Sequence, residues 1–228
     1  MQRFFHLGDS GTEIKAVQDR LKDLGFLKGK TSENFDDNLL VSLKDFQNAS
    51  KLNVDGVVGP KTWRALGLSE PAIPSVVPVP VGLEEIRRVF GDPLEVGFWE
   101  DAAGWCETPP ELNHVFTFEV GGKRGFYCHK FIVNALQSVY RGIVRAGLAN
   151  ELKTFSGCYN LRYKRGMREL STHSWGIAVD HNAETNRMGT RGTMHAGVIQ
   201  IFQNNGFTWG GTWKNRPDPM HFNYCKGY

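Results

Sequence analysis

Residues 171–180 read Ser171-Thr172-His173-Ser174-Trp175-Gly176-Ile177-Ala178-Val179-Asp180. His173 and Asp180 are too far apart to share adjacent turns of a helix, and Gly176 between them argues against one. The stretch therefore reads as a loop carrying His173, followed by a strand, I-A-V-D, that brings Asp180 back beside it. Downstream, Asp218-Pro219-Met220-His221-Phe222 leads into a last strand, M-H-F-N-Y. Two imidazoles and a carboxylate are a common catalytic zinc set, because they leave one tetrahedral position for water, whereas a closed structural site more often uses cysteines. His173, Asp180 and His221 are thus the expected Zn2+ ligands, drawn from three backbone segments. Asp218 stands three residues before His221 across a proline-containing turn. A carboxylate there can take a proton from metal-activated water without ligating the metal, so Asp218 is the expected general base. His181 follows a ligand but faces the other side of its strand, which makes it a bystander. His6, His114, His129 and His195 lie outside the pattern and are expected to be satisfied surface or core histidines.

Working outward, residues 70–80, E-P-A-I-P-S-V-V-P-V-P, place four prolines in eleven positions. Proline withholds backbone donors and favours extended structure, so 70–81 is expected to be a semi-rigid, solvated linker between domains at 1–69 and 82–228. Before it, Ile14, Val17, Leu21 and Leu24 recur at helical spacing and stop at Gly25. Leu39, Leu40, Leu43, Phe46 and Gln47 repeat the pattern, and Pro60-Lys61-Thr62-Trp63 opens a third helix. These predict a small three-helix bundle with Phe46 and Trp63 in its core. After the linker, the pattern predicts a short helix over 83–90, strands Phe116–Val120 and Gly125–Cys128 around a Gly121-Gly122 turn, and a long helix over 129–147. That helix carries Phe131, Ile132, Ala135, Leu136, Val139, Ile143 and Val144 on one stripe. Helices and strands in separate runs predict an α+β fold with a small antiparallel sheet.

With 228 residues, 40% hydrophobic and 22% charged, the chain is ordinary for a globular protein and long enough for two unequal domains. A net charge of +3 is too mild to imply a nucleic-acid partner. Met1 to His6 has no continuous apolar core, and no 18-residue apolar run occurs, so neither an export signal nor a membrane anchor is expected. A monomer is the default. Cys106, Cys128, Cys158 and Cys225 form no C-x-x-C pair and are expected to be buried free thiols.

The N-terminal series Q-x-x-L-x-x-L-G, F-Q and D-G-x-x-G-x-x-T-W, over about residues 6–68, resembles the common three-helix peptidoglycan-binding domain. Its usual middle loop, D-G-x-F-G, is replaced by S-E-N-F-D at Ser32 to Asp36. The second half, with S-x-H-x-x-G-x-A-x-D, the downstream acid-x-x-H, S-G-C-Y-N-L-R at 156–162 and G-F-T-W-G-G-T-W at 206–213, resembles the zinc D-alanyl-D-alanine carboxypeptidase and L-alanyl-D-glutamate endopeptidase family. The resemblance implies His173, Asp180 and His221 as zinc ligands and Asp218 as base. It adds Arg162 as a cation for the oxyanion of a tetrahedral intermediate, with Arg165 as its rival. Ser171 matches the first motif position, and Trp209, Gly210 and Trp213 look like a cleft wall. The implied protein is a modular endolysin of phage type, made in the host cytoplasm, whose partner is peptidoglycan and whose target is the L-alanyl-D-glutamate bond of the stem peptide. Alternatives are D-Ala-D-Ala carboxypeptidase or cross-link cleavage, a wall-binding protein with a structural zinc, and a hydrolase using Cys158 as nucleophile.

Overall fold

The computed structural model describes residues 4–69 and 77–228. The chain divides into two compact units, Met1–Pro74 with Arg87–Gly91, and Ser75–Ile86 with Asp92–Tyr228. The fold class is α+β, helical in the first unit and sheet-containing in the second.

In the first unit, α1 (Thr12–Asp23), α2 (Asp37–Ala49) and α3 (Pro60–Ala65) enclose a core of Ile14, Val17, Leu21, Leu39, Leu43, Phe46 and Trp63. Leu24 falls outside that stripe. It is the C-terminal cap of α1 and lies 39% exposed, since the helix ends one residue earlier than its spacing suggests. Asp36 caps α2, accepting from the Leu39 amide at 2.9 Å. Two buried glutamines hold the loops. Gln18 donates to the Asn34 carbonyl and accepts from the Ser32 amide, so the Ser32–Asp36 segment is fastened to α1. Gln47 does the same for the D-G turn, donating to the Val57 carbonyl and accepting from the Gly56 amide. These glutamines are the physical content of the Q-x-x-L and F-Q motifs.

The proline-rich stretch is described only from residue 77, and 70–76 lie outside the described residues. Its described end is not a solvated spacer. Val77 is buried, its carbonyl accepts the Tyr224 hydroxyl at 2.6 Å, and Val81 pairs in parallel with Lys226. The prolines leave carbonyls free to accept, and Pro80 takes the Lys226 amide. The strap belongs to the second unit.

Beyond it come α4 (Gly82–Phe90), α5 (Phe98–Ala102), and strands β1 (Ala103–Glu107), β2 (Glu119–Val120) and β3 (Lys123–His129), ordered β1-β3-β2 in an antiparallel sheet. The Gly121-Gly122 turn is as expected, but the strand before it is short, because Phe116 leaves the sheet to pack on Phe126 and Tyr140. The long helix, α6 (Val133–Arg145), starts after a 3-10 turn over Lys130–Ile132. A second antiparallel sheet follows, order β4-β5-β7-β6, from β4 (Phe155–Gly157), β5 (Ala178–His181), β6 (Thr208–Trp209) and β7 (His221–Asn223). Helix α7 (Ala196–Asn204) packs on one face, with Phe202 stacked 4.0 Å from Phe222. Side chains alternate along a strand, so Val179 and Phe222 fill this core while Asp180 and His221, which are register partners, share the opposite face. All four cysteines are free and buried. No helix among the described residues is long and apolar enough to cross a membrane.

Candidate metal centre and catalytic cleft

The loop-to-strand reading of residues 171–180 holds. Thr172–Trp175 form a 3-10 turn, Gly176 ends it at φ 66°, and β5 begins at Ala178. Only glycine fits at 176, because a Cβ would meet the Trp99 ring at 2.5 Å in addition to the left-handed strain. The turn places His173 over the face on which Asp180 and His221 are already paired.

The three donors converge. His173 Nε2 lies 3.2 Å from Asp180 Oδ2, His221 Nδ1 lies 2.9 Å from Asp180 Oδ1, and the two imidazole nitrogens are 3.2 Å apart. All lie within 4.8 Å of one another. The outward nitrogens are anchored: His173 Nδ1 contacts the Cys158 carbonyl at 2.6 Å, and His221 Nε2 contacts Thr172 Oγ1 at 3.1 Å. A carbonyl can only accept, so His173 carries its proton on Nδ1 and, when neutral, turns a lone pair on Nε2 inward. With the Thr172 hydroxyl accepting from Nε2–H, His221 does the same with Nδ1. Lone pairs and a carboxylate then face one another, an arrangement that a metal ion or a bound proton satisfies. Fixed outer partners of this kind are what orient metal-binding histidines. The donor set suits zinc. Burial alone would raise the Asp180 carboxyl, but hydrogen bonds donated by His173 and His221, when their inward nitrogens carry protons in place of a cation, outweigh that and hold it well below the usual carboxylate range.

Asp218 stands beside this cluster without joining it. It is buried, and its Oδ1 has no hydrogen-bond partner among the described residues. Burial pushes its carboxyl above the ordinary aspartate value and the Asp180 charge adds to this, with His221, His173 and Arg162 partly opposing. A poorly solvated carboxylate with an unused oxygen is a willing proton acceptor. Its backbone is fixed at both ends, since Asp218 N donates to the Gly210 carbonyl at 2.9 Å and the Asp218 carbonyl accepts from His221 N at 3.0 Å.

Asp218 and His221 open onto a cleft of about 230 Å³ that Arg162, Ser171, Thr172 and Trp213 also line. Arg162 is held through its main chain, its carbonyl accepting from Ser171 N at 2.8 Å and from Ser174 Oγ at 2.9 Å. Ser171 caps the 3-10 turn, its Oγ accepting from the His173 amide. The Trp213 ring sits 5.3 Å from that of His221. Trp209 differs from the expected cleft wall: its indole N–H donates to the Pro219 carbonyl at 2.9 Å, and its ring lines a separate depression with Arg191 and Gly192. It holds the Asp218–His221 turn from behind. Sequence reasoning passed over Thr172, Ser174 and the Cys158 carbonyl as ligand supports. The first two are the polar positions flanking His173 in the motif, whereas a backbone carbonyl leaves no sequence signal. The Cys158 thiol donates to the Gly176 carbonyl, and burial raises it well above the usual thiol range, so no thiolate is available there.

His181 lies on the core face of β5, with Nδ1 3.1 Å from the Thr154 carbonyl and Nε2 3.1 Å from the Tyr140 hydroxyl. His129 and His195 accept backbone amides, from Phe131 and Gly197, and His114 contacts the Leu152 carbonyl.

Residues 165–224 match the family model described as D-alanyl-D-alanine carboxypeptidase, and residues 10–66 match that described as peptidoglycan binding domain. Among solved structures, the SleB N-terminal domain is 34% identical over 29% of this chain and 92% of its own, with a TM-score of 0.29. A peptidoglycan-binding protein from Clostridioides difficile, in complex with glutamine hydroxamate, is 34% identical over 30% of this chain and 46% of its own, with a TM-score of 0.28. Likenesses this partial support nothing beyond the local match. No curated protein matches.

Proposed function

We propose that this modular chain, a peptidoglycan-binding domain ahead of a peptidase-family domain, is a zinc-dependent endolysin that hydrolyses the L-alanyl-D-glutamate bond of peptidoglycan stem peptides. The observation that carries the reading is the meeting of His173, Asp180 and His221 beside a buried, partly unsatisfied Asp218 at the edge of a cleft. His173 Nε2, His221 Nδ1 and the Asp180 carboxylate would hold the ion. When bound, zinc supplies Lewis acidity toward a carbonyl and toward water.

The protein's own groups do the rest. Asp218 accepts the proton of the attacking water at its free carboxylate oxygen and returns it to the leaving nitrogen. Arg162 supplies a fixed positive charge to the oxygen that gains charge in the transition state. Thr172 and the Cys158 carbonyl keep the two imidazoles from turning. Trp213 narrows the cleft beside His221. The N-terminal domain would raise the local concentration of wall substrate through its tether.

A second reading, release of a terminal D-Ala, is favoured by the description of the matching family model. Mass spectrometry of muropeptides after digestion by zinc-loaded protein separates the two. New amino-terminal D-Glu is the expected product, loss of terminal D-Ala moves the assignment to the carboxypeptidase, and no zinc-dependent product rejects both.

A further inference from the structure

The cleft carries more positive charge than the proposed chemistry uses. Arg162, Lys164, Arg165 and Arg216 line it, and among its described lining residues Asp218 is the only acid. Lys164 is already matched, with Nζ 2.9 Å from Glu169 Oε2 and 3.7 Å from the Tyr228 ring centre. Arg162 is already assigned to the oxygen that gains charge in the transition state. Arg165 and Arg216 have no carboxylate partner among the described residues, yet they are not loose ends. Arg165 lies in a tight hairpin in which Tyr163 pairs with Leu170 and Lys164 N donates to the Glu169 carbonyl at 2.7 Å. Arg216 Nη1 donates to the Arg165 carbonyl at 2.8 Å, which ties the hairpin to the segment just before Asp218. Both residues line the cleft, and the Arg216 guanidinium is held against the backbone of Arg165. Neither has a carboxylate of the protein beside it among the described residues, and planar guanidinium groups match a carboxylate in geometry as well as charge.

We propose that Arg165 and Arg216 form a carboxylate clamp for the residue on the leaving side of the scissile bond. The protein then selects stem peptides whose α-carboxylate next to the cleaved nitrogen is free over those in which it is a carboxamide. The clamp rests on the peptidase reading for its orientation, and both bonds considered above present such a group: the α-carboxylate of γ-linked D-Glu in one, that of terminal D-Ala in the other.

The test uses the zinc-loaded full chain carrying Asp218→Asn, which blocks turnover, and two probes: the tripeptide L-Ala-γ-D-Glu-L-Lys and the same peptide with the D-Glu α-carboxyl as a carboxamide. Calorimetric titration is expected to show the carboxylate peptide binding about tenfold or more tightly, the usual scale of a charge-assisted pair. Adding Arg165→Gln, which leaves the main-chain tie to Arg216 intact, or Arg216→Gln, brings that ratio close to one. Equal affinity for the two peptides, or a ratio unchanged by both arginine substitutions, overturns the clamp. A clear preference in binding, combined with no cleavage of either peptide by the protein with Asp218 intact, keeps the clamp and rejects the L-alanyl-D-glutamate reading instead.

Discussion

Asp218 hangs from Gly210. Its amide donates to the Gly210 carbonyl at 2.9 Å, and a methyl group on Gly210 would come within 2.6 Å of the Asp218 carbonyl oxygen. The proposed base is therefore positioned by a residue whose contribution is the absence of a side chain. Gly210→Ala forces the backbone of the Asp218 turn to move, and overpacking of this kind costs about 1–3 kcal/mol. Hydrolysis of purified wall should fall at least about tenfold, since a displaced catalytic group loses effective molarity steeply. A thermal melt lower by several degrees should accompany it, and full activity with an unchanged melt would show that the turn tolerates the methyl.

Asp218→Asn keeps the size of the side chain and removes its ability to take a proton. Turnover should drop by about 10²-fold or more, the usual scale of general base catalysis. Metal content, measured by elemental analysis after dialysis, should stay at the level of the unsubstituted protein because Asp218 is not among the converging donors. Loss of metal together with activity would move Asp218 into the ligand set.

His173→Ala should lose zinc and activity together, and chelation of the unsubstituted protein should lower its melting temperature. Ligand binding to the folded state alone raises stability by mass action, and the donors come together only in the fold. A chelator-insensitive melt, with chelator-insensitive hydrolysis, would remove zinc from the mechanism.

His181 gives a pH dependence of stability that is separate from catalysis. Burial is the main cause that lowers its pKa from 6.5 to about 4, against the opposing effects of the Thr154 carbonyl and Asp180. As pH falls from 6.5 toward 4, the unfolded chain takes up a proton that the folded chain refuses, so folding stability declines across that window. The His181 contribution is fully present above pH 6.5 and lost near pH 4, on the order of 3 kcal/mol. Urea titrations of zinc-free protein at pH 7 and pH 5 should differ accordingly, and His181→Phe, which keeps a ring in the aromatic core, should flatten the difference. An equal slope in both proteins would assign the acid sensitivity to other groups.

Trp209 and Trp213 should separate by phenotype. Trp213→Ala opens the cleft beside His221 and should act mainly on KM. Trp209→Phe removes the bond to the Pro219 carbonyl and should cost about 1 kcal/mol of stability. Interchanged effects would reverse the two assignments.

The convergence of His173, Asp180 and His221 was legible because their chemistry resides in side chains with few alternative uses. His173, a glycine three residues on and Asp180 at the end of an apolar run describe a turn followed by a strand, and that is the geometry found. Trp209 was misread because an indole next to glycines looks the same in sequence whether its ring faces substrate or its N–H holds a carbonyl. The strap at 77–81 was misread for a related reason. Proline content reports missing donors, but it does not reveal that Lys226 and Tyr224 bring donors of their own. Leu24 fits the helical period and still lies outside the core, because a period cannot show where the last turn unwinds.

Asp180 and His221 are direct partners in the pairing of β5 with β7, and the neighbouring positions on β5 are Val179 and His181. A slip of one residue would turn every side chain of the strand over, hiding the carboxylate among phenylalanines and presenting an imidazole and a valine toward His173. On the proposed zinc reading, correct strand alignment is thus a condition for capturing metal at all. Zinc uptake during refolding can serve as a reporter of register, and misaligned chains would announce themselves by remaining metal-free.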